Sequence, residues 1–126
     1  MTTLAGKRIL LVEDEALIAV MVEEMLCECG AEVVAAASTL DEALVVCASA
    51  ACDAAVLDVN LGGAVVFPAA DVLARRGIPV VFATGYGRSA IGPEHRGQVI
   101  EKPYTCDKLV RALKAALAPQ LVPSST

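Results

Sequence analysis

Ala54-Ala55-Val56-Leu57-Asp58-Val59-Asn60-Leu61-Gly62-Gly63 is a short apolar run that stops at a carboxylate and turns at two glycines. An apolar run of that length, bounded by a turn signal, reads as a strand buried on both faces. Asp58 then stands at the strand's carboxyl end, where the loops of an open α/β sheet leave a crevice for ligands. Taken alone, Asp58 reads first as an ordinary turn residue. Its meaning depends on which other polar residues share that edge.

Working outward, the chain alternates such runs with helical patterns. Arg8 to Val12 is a buried-strand run that ends in Glu13-Asp14-Glu15. From Ala16 to Cys29, two apolar series recur at four-residue spacing, Leu17-Met21-Met25 and Ile18-Val22-Leu26, as on the faces of a helix closed by Gly30. Glu32 to Ala37 is a second, weaker strand, and Thr39-x-x-Glu42 is a capping box opening a helix to about Ala48. The third strand is read over Cys52 to Asp58, and Pro68 suits the first turn of a helix ending at Arg76-Gly77. Pro79 to Ala83 is a fourth strand running into Thr84-Gly85-Tyr86-Gly87, and Gln98 to Glu101 is a short fifth one leading into Lys102-Pro103-Tyr104. Thr105 caps a last helix carrying Leu109, Leu113 and Leu117. Five strands each followed by a helix, without hairpins, predict a flavodoxin-like parallel sheet of order 2-1-3-4-5 with helices on both faces.

Composition bounds the function. The 126 residues are 56% hydrophobic, with two Phe, two Tyr and no Trp, which suits one domain whose core is aliphatic. Its core is expected at about residues 6–118, with a frayed tail over 119–126. A net charge of −5 and basic residues in no run longer than Lys7-Arg8 or Arg75-Arg76 argue against nucleic acid. Charge-free stretches too short to span a bilayer and a start unlike a secretory signal point to no membrane and a cytoplasmic location. The five cysteines, at 27, 29, 47, 52 and 106, have no zinc-like spacing and read as free thiols. His95, the single histidine, lies in a turn-rich segment and reads as a surface residue.

In the expected strand order, the first, third, fourth and fifth strands end side by side. They carry Glu13 and Asp14, Asp58, Thr84, and Lys102. With neighbouring strands about 5 Å apart, Asp14 and Asp58 can share one small ion, and Lys102 can lean back across roughly 10 Å. Two carboxylates about 5 Å apart repel by about 3 kcal/mol at an effective dielectric near 20. A hard cation such as Mg²⁺ relieves that cost. An aspartate nucleophile, a cation, a lysine and a hydroxyl are the parts of in-line phosphoryl transfer. An aspartyl-phosphate hydrolase would want a second acid where Asn60 stands. A flavin or nucleotide binder would want glycines where Glu13-Asp14-Glu15 stands.

The set Leu10-Leu11-Val12-Glu13-Asp14-Glu15, Val56-Leu57-Asp58-Val59-Asn60-Leu61, Phe82-Ala83-Thr84-Gly85 and Glu101-Lys102-Pro103-Tyr104 resembles the receiver domains of two-component response regulators. The resemblance implies that Asp58 accepts a phosphoryl group from a phosphohistidine on a sensor histidine kinase or histidine phosphotransfer protein. It implies Mg²⁺, or another small divalent ion such as Mn²⁺, on Asp14, Asp58 and the Asn60 carbonyl, with Glu13 acting through water. Thr84 and Lys102 would contact the phosphoryl oxygens, and the Lys102-Pro103 bond would be cis. Such a module is a signalling phosphoacceptor rather than an enzyme, here expected as a stand-alone receiver with a downstream protein target; a docking receiver that is never phosphorylated is the alternative. Phe82-Ala83-Thr84-Gly85-Tyr86 resembles the FATGY-type subgroup, many of whose members pair with kinases of the HWE or HisKA2 type. Three features depart from the family pattern: Glu13 in place of the more usual Asp, Val99 where an aromatic switch residue is common, and a short Thr84 to Lys102 interval. With Val99 too small and stiff for that switch, Tyr86 and the Gly85 to Gly97 stretch are expected to order on phosphorylation instead; the alternative is that Tyr86 packs on the last helix in both states.

Overall fold

The computed structural model describes residues 4–85, 91, 97–102 and 104–118. Strands β1 (Arg8–Val12), β2 (Glu32–Ala37), β3 (Ala54–Asp58), β6 (Val80–Thr84) and β7 (Gln98–Glu101) form one sheet, and β4 (Asn60–Leu61) and β5 (Ala64–Val65) form a small hairpin. The helices are α1 (Ala16–Glu28), α2 (Leu40–Ser49), α3 (Phe67–Arg75) and α4 (Cys106–Leu117). The sheet order is β2-β1-β3-β6-β7 with every pair parallel. This is the expected 2-1-3-4-5 order once the two hairpin strands are counted separately. Its fold class is flavodoxin-like α/β.

Alternation of side chains along the strands divides the core in two. Leu10, Val12, Ala55, Leu57, Val80 and Phe82 pack beneath α2 and α3. Ile9, Leu11, Ala54, Val56, Val81 and Ala83 pack beneath α1 and α4. Every residue of β3 and β6 is buried, so these strands read as unbroken apolar runs, whereas β2 at the edge alternates.

Local chemistry sets the element ends. The Thr39 hydroxyl accepts from the Glu42 amide at 3.2 Å, while the Glu42 carboxylate reaches back to the Ser38 amide at 2.9 Å, a capping box stretched by one residue. Thr105 caps α4 through the Lys108 amide at 3.2 Å. At the far end of α2, the Arg76 guanidinium donates to the carbonyls of Cys47 at 2.5 Å and Ala50 at 2.7 Å, groups that a helix end otherwise leaves unpaired.

Two sequence expectations are corrected, and the structure chooses between the two apolar series of α1. The chain does contain a hairpin: Gly62 and Gly63 adopt φ of 61° and 96°, the two positive values that a tight two-residue turn needs, and Asn60 pairs with Val65 across it. The third strand starts at Ala54 rather than Cys52, because the Asp53 carboxylate turns aside to accept from the Arg8 backbone amide at 2.7 Å. In α1 only the Ile18-Val22-Leu26 series, with Met25, meets the sheet. Leu17 is 84% exposed and Met21 45%, since a helix lying on a sheet buries one stripe. Among the described residues, no helix is long and apolar enough to cross a membrane.

Candidate functional site

Strand ends and backbone pairing bring the polar residues of the carboxyl edge together. Glu13 follows β1, and its backbone amide donates to the Ala37 carbonyl at 3.0 Å, which continues the ladder and turns its side chain inward. Asp58 closes β3, Thr84 closes β6, and the Lys102 amide donates to the Thr84 carbonyl at 3.0 Å just past β7. Glu13, Asp58 and Thr84 are the buried polar residues among those described. In front of them opens a cavity of about 760 Å³ whose walls include Asp14, Asp58, Asn60, Gly62, Thr84 and Lys102.

The ammonium of Lys102 lies 2.9 Å from Asp58 Oδ2 and 3.8 Å from Glu13 Oε1. Asp58 Oδ1 accepts from the Asn60 amide at 3.2 Å, so both carboxylate oxygens are oriented. Glu13 accepts from the Glu15 amide at 3.1 Å and from the Tyr104 hydroxyl at 3.1 Å. Burial, partly offset by that amide and reinforced by the Asp58 charge, raises the Glu13 pKa to about 7. Burial works against the charge on Lys102, but its hydrogen bond to Asp58 and the charges of Asp58 and Glu13 prevail, and its pKa is raised. Burial first and the Glu13 charge second push the Tyr104 phenol well above its ordinary value.

Glu13, Asp14 and Asp58 each offer an oxygen within 4.8 Å of the others. An all-oxygen carboxylate set of this kind fits a hard divalent cation and not a soft one. Antiparallel pairs alternate between bonded and unbonded positions. The Val66 amide donates to the Val59 carbonyl at 2.9 Å, so the next pair, Asn60 and Val65, falls at an unbonded position. That leaves the Asn60 carbonyl outside the hairpin ladder.

A family model described as the response regulator receiver domain matches residues 9–114. The chain belongs to this family. Among solved structures, the receiver is similar to SdrG from Sphingomonas melonis Fr1, with 42% identity, a TM-score of 0.78, and coverage of 90% of this chain and 98% of that one. It is also similar to the BeF3-activated conformation of SdrG from Pseudomonas melonis Fr1, with 39% identity, a TM-score of 0.74, and coverage of 92% and 100%. The response regulator PhyR from Brucella abortus matches with 30% identity and a TM-score of 0.78, over 90% of this chain and 48% of PhyR. The receiver thus spans about half the length of PhyR. No curated protein sequence matches.

Of the residues singled out from sequence, Glu13, Asp14, Asp58, Asn60, Thr84 and Lys102 all lie at this edge. Tyr104 is the participant that sequence reasoning passed over. It was visible as the aromatic two residues past Lys102, on the loop that returns across the acid pocket. Its ring centroid lies 6.0 Å from the Lys102 ammonium, and its hydroxyl meets Glu13. Val99 is half-buried and pairs with Phe82 in the sheet. Tyr86, His95, Pro103 and most of the Gly85 to Gly97 stretch lie outside the described residues, as do the expected order-on-phosphorylation switch and the expected cis bond.

Proposed function

We propose that this receiver, with its core at about residues 6–118, takes a phosphoryl group from a phosphohistidine onto Asp58 and signals through the ensuing rearrangement. The observation that supports this best is the Lys102 ammonium at 2.9 Å from Asp58, beside a cluster of three carboxylates. Asp58 is poised as the nucleophile: its oxygen attacks phosphorus in line, the P–O bond forms, and the P–N bond to the donor imidazole breaks. Lys102 holds Asp58 beforehand and then swings to the phosphoryl oxygens, which carry more charge than the carboxylate did. The Thr84 hydroxyl lies at the same edge to contact one of those oxygens. Asp14, Asp58 and the Asn60 carbonyl would hold the divalent ion, with Glu13 behind them reaching it through water. When bound, the ion screens the acids from the incoming phosphate and neutralises charge in the transition state.

The proposed donor is a sensor histidine kinase, of the HWE or HisKA2 type on the resemblance of Phe82 to Tyr86, or a phosphotransfer protein. The test is intact mass after incubation with a small-molecule phosphodonor. A single phosphoryl adduct is expected that requires Mg²⁺ and disappears in Asp58→Asn. An adduct that survives the substitution would sink the assignment. Failure of the wild type to accept phosphate would leave a docking receiver in its place.

A further inference from the structure

Cys29, just past α1, and Cys106, the first residue of α4, take no part in phosphoryl transfer, yet their sulfurs lie 3.6 Å apart. Seventy-seven positions separate them in sequence. They meet because α1 and α4 share one face of the sheet. Cys106 is exposed and Cys29 half-buried, so an oxidant arriving from solvent meets the first with the second directly behind it. Cys27 is also exposed, but it lines a surface groove of α1 with Val20, Glu23, Glu24 and Glu28. Cys47 and Cys52 are buried in the core beneath α2 and α3, on the opposite face of the sheet. Cys29 and Cys106 are therefore a pair that is both in contact and reachable.

We infer that Cys29 and Cys106 are an oxidation site, which a hydroperoxide closes to an intramolecular disulfide. The Cys106 sulfur attacks the peroxide, its O–O bond breaks, and a sulfenic acid forms with release of one water when the peroxide is hydrogen peroxide. The Cys29 sulfur then displaces the hydroxyl from that sulfenic sulfur, giving the S–S bond and a second water. Two electrons pass from the thiols to the peroxide, and both thiol protons leave in the water. A disulfide needs about 2.05 Å between sulfurs, so the pair must close by about 1.5 Å, within reach of side-chain rotation. Burial, then the contact with Cys106, raises the Cys29 thiol pKa, which suits Cys29 to the second step rather than the first. Such a bond staples the end of α1 to the start of α4, four positions after Lys102 and two after Tyr104. It would restrain the loop that carries both side chains across the acid pocket.

The experiment treats the full chain with hydrogen peroxide, alkylates the remaining thiols under denaturing conditions, and maps the peptides by mass. Two of the five thiols should be lost from a monomer, in one Cys29–Cys106 cross-link that dithiothreitol reverses. The thermal midpoint should rise on oxidation and fall back on reduction. Cys27→Ser should preserve the cross-link, and Cys29→Ser and Cys106→Ser should each abolish it. A cross-link through Cys27, a disulfide-linked dimer, sulfinic acid on Cys106 without a cross-link, or five alkylatable thiols after treatment would each overturn the inference.

Discussion

Strand β3 has an aspartate at each end, and the two are held by a base in opposite circumstances. Asp53, just before the strand, faces Arg8 at 3.1 Å, with side chains 29% and 48% exposed. Asp58, its last residue, faces Lys102 at 2.9 Å, with side chains 5% and 25% exposed. At the amino end one acid meets one base in water, and hydrogen bonds from Arg8 hold the Asp53 carboxyl below its usual range. At the carboxyl end, among the described residues, one ammonium serves a cluster that also includes Glu13 and Asp14. A pair that is already balanced can only fasten β1 to β3. A half-buried cluster with more carboxylates than ammonium groups among the described residues favours the arrival of a cation and changes its contacts when the charge changes, which suits a switch.

The largest test of that contrast is Lys102→Ala. It leaves the buried Asp58 and Glu13 carboxylates without their ammonium, so metal-free protein should lose about 3 kcal/mol in urea unfolding. Mg²⁺ should restore most of the loss and bind as tightly as before or more tightly, because a positive competitor is gone. Weaker metal binding in this variant, by calorimetry, would contradict the arrangement.

Glu13 offers the next effect, through pH. Its folded pKa of about 7 lies above the ordinary 4.5, so between these values the folded state holds a proton that the unfolded chain has lost. Stability from this group is complete below about pH 4.5 and falls as pH rises through about 7, by an amount on the order of 3 kcal/mol. Thermal scans in chelator should show that decline, and Glu13→Gln should flatten it. Added Mg²⁺ should also flatten it, because the ion favours the carboxylate.

The two ends of β3 were unequally legible in the sequence. Glu13, Asp58 and Thr84 follow directly on apolar runs, and Asp14 and Lys102 lie one residue further on, so knowing where the strands stop was enough to place them on one edge. Asp53 was read as part of the third strand, because nothing local shows that its carboxylate reaches the Arg8 amide 45 positions away. The Tyr104 hydroxyl on Glu13 spans 91 positions and was hidden for the same reason. Periodicity identified two apolar series on α1 but not which one meets the sheet, since that depends on how the chain enters the helix. The hairpin rests on positive φ at both Gly62 and Gly63, which the glycine pair permitted without requiring.

A third base sharpens the contrast by bonding backbone carbonyls rather than a carboxylate. Arg76 donates to the Cys47 and Ala50 carbonyls at 2.5 and 2.7 Å, tying the end of α2 to the end of α3. Arg76→Ala should cost about 1 kcal/mol in urea unfolding, since water can replace part of what is lost. Arg76→Lys should recover little, because a single ammonium cannot reproduce the planar fork. Neither variant should alter Mg²⁺ binding.

The smallest effect is expected from Arg8→Ala, and it is the one that can break the comparison. The substitution removes the guanidinium but keeps the Arg8 backbone amide, which still donates to Asp53 at 2.7 Å. What is lost is an exposed charge pair, and a Debye length of about 8 Å at physiological salt already weakens it. The shift in urea midpoint should be close to the scatter of the measurement and should vanish in concentrated salt. Asp53→Ala should cost more, because it also strips the backbone amide of its acceptor. The Lys102→Ala loss, by contrast, should persist in NaCl, since Na⁺ is a poor substitute for an ammonium hydrogen-bonded to a buried carboxylate. If Arg8→Ala matched Lys102→Ala in size and resisted salt, charge balance and burial would not be what separates the two ends of β3.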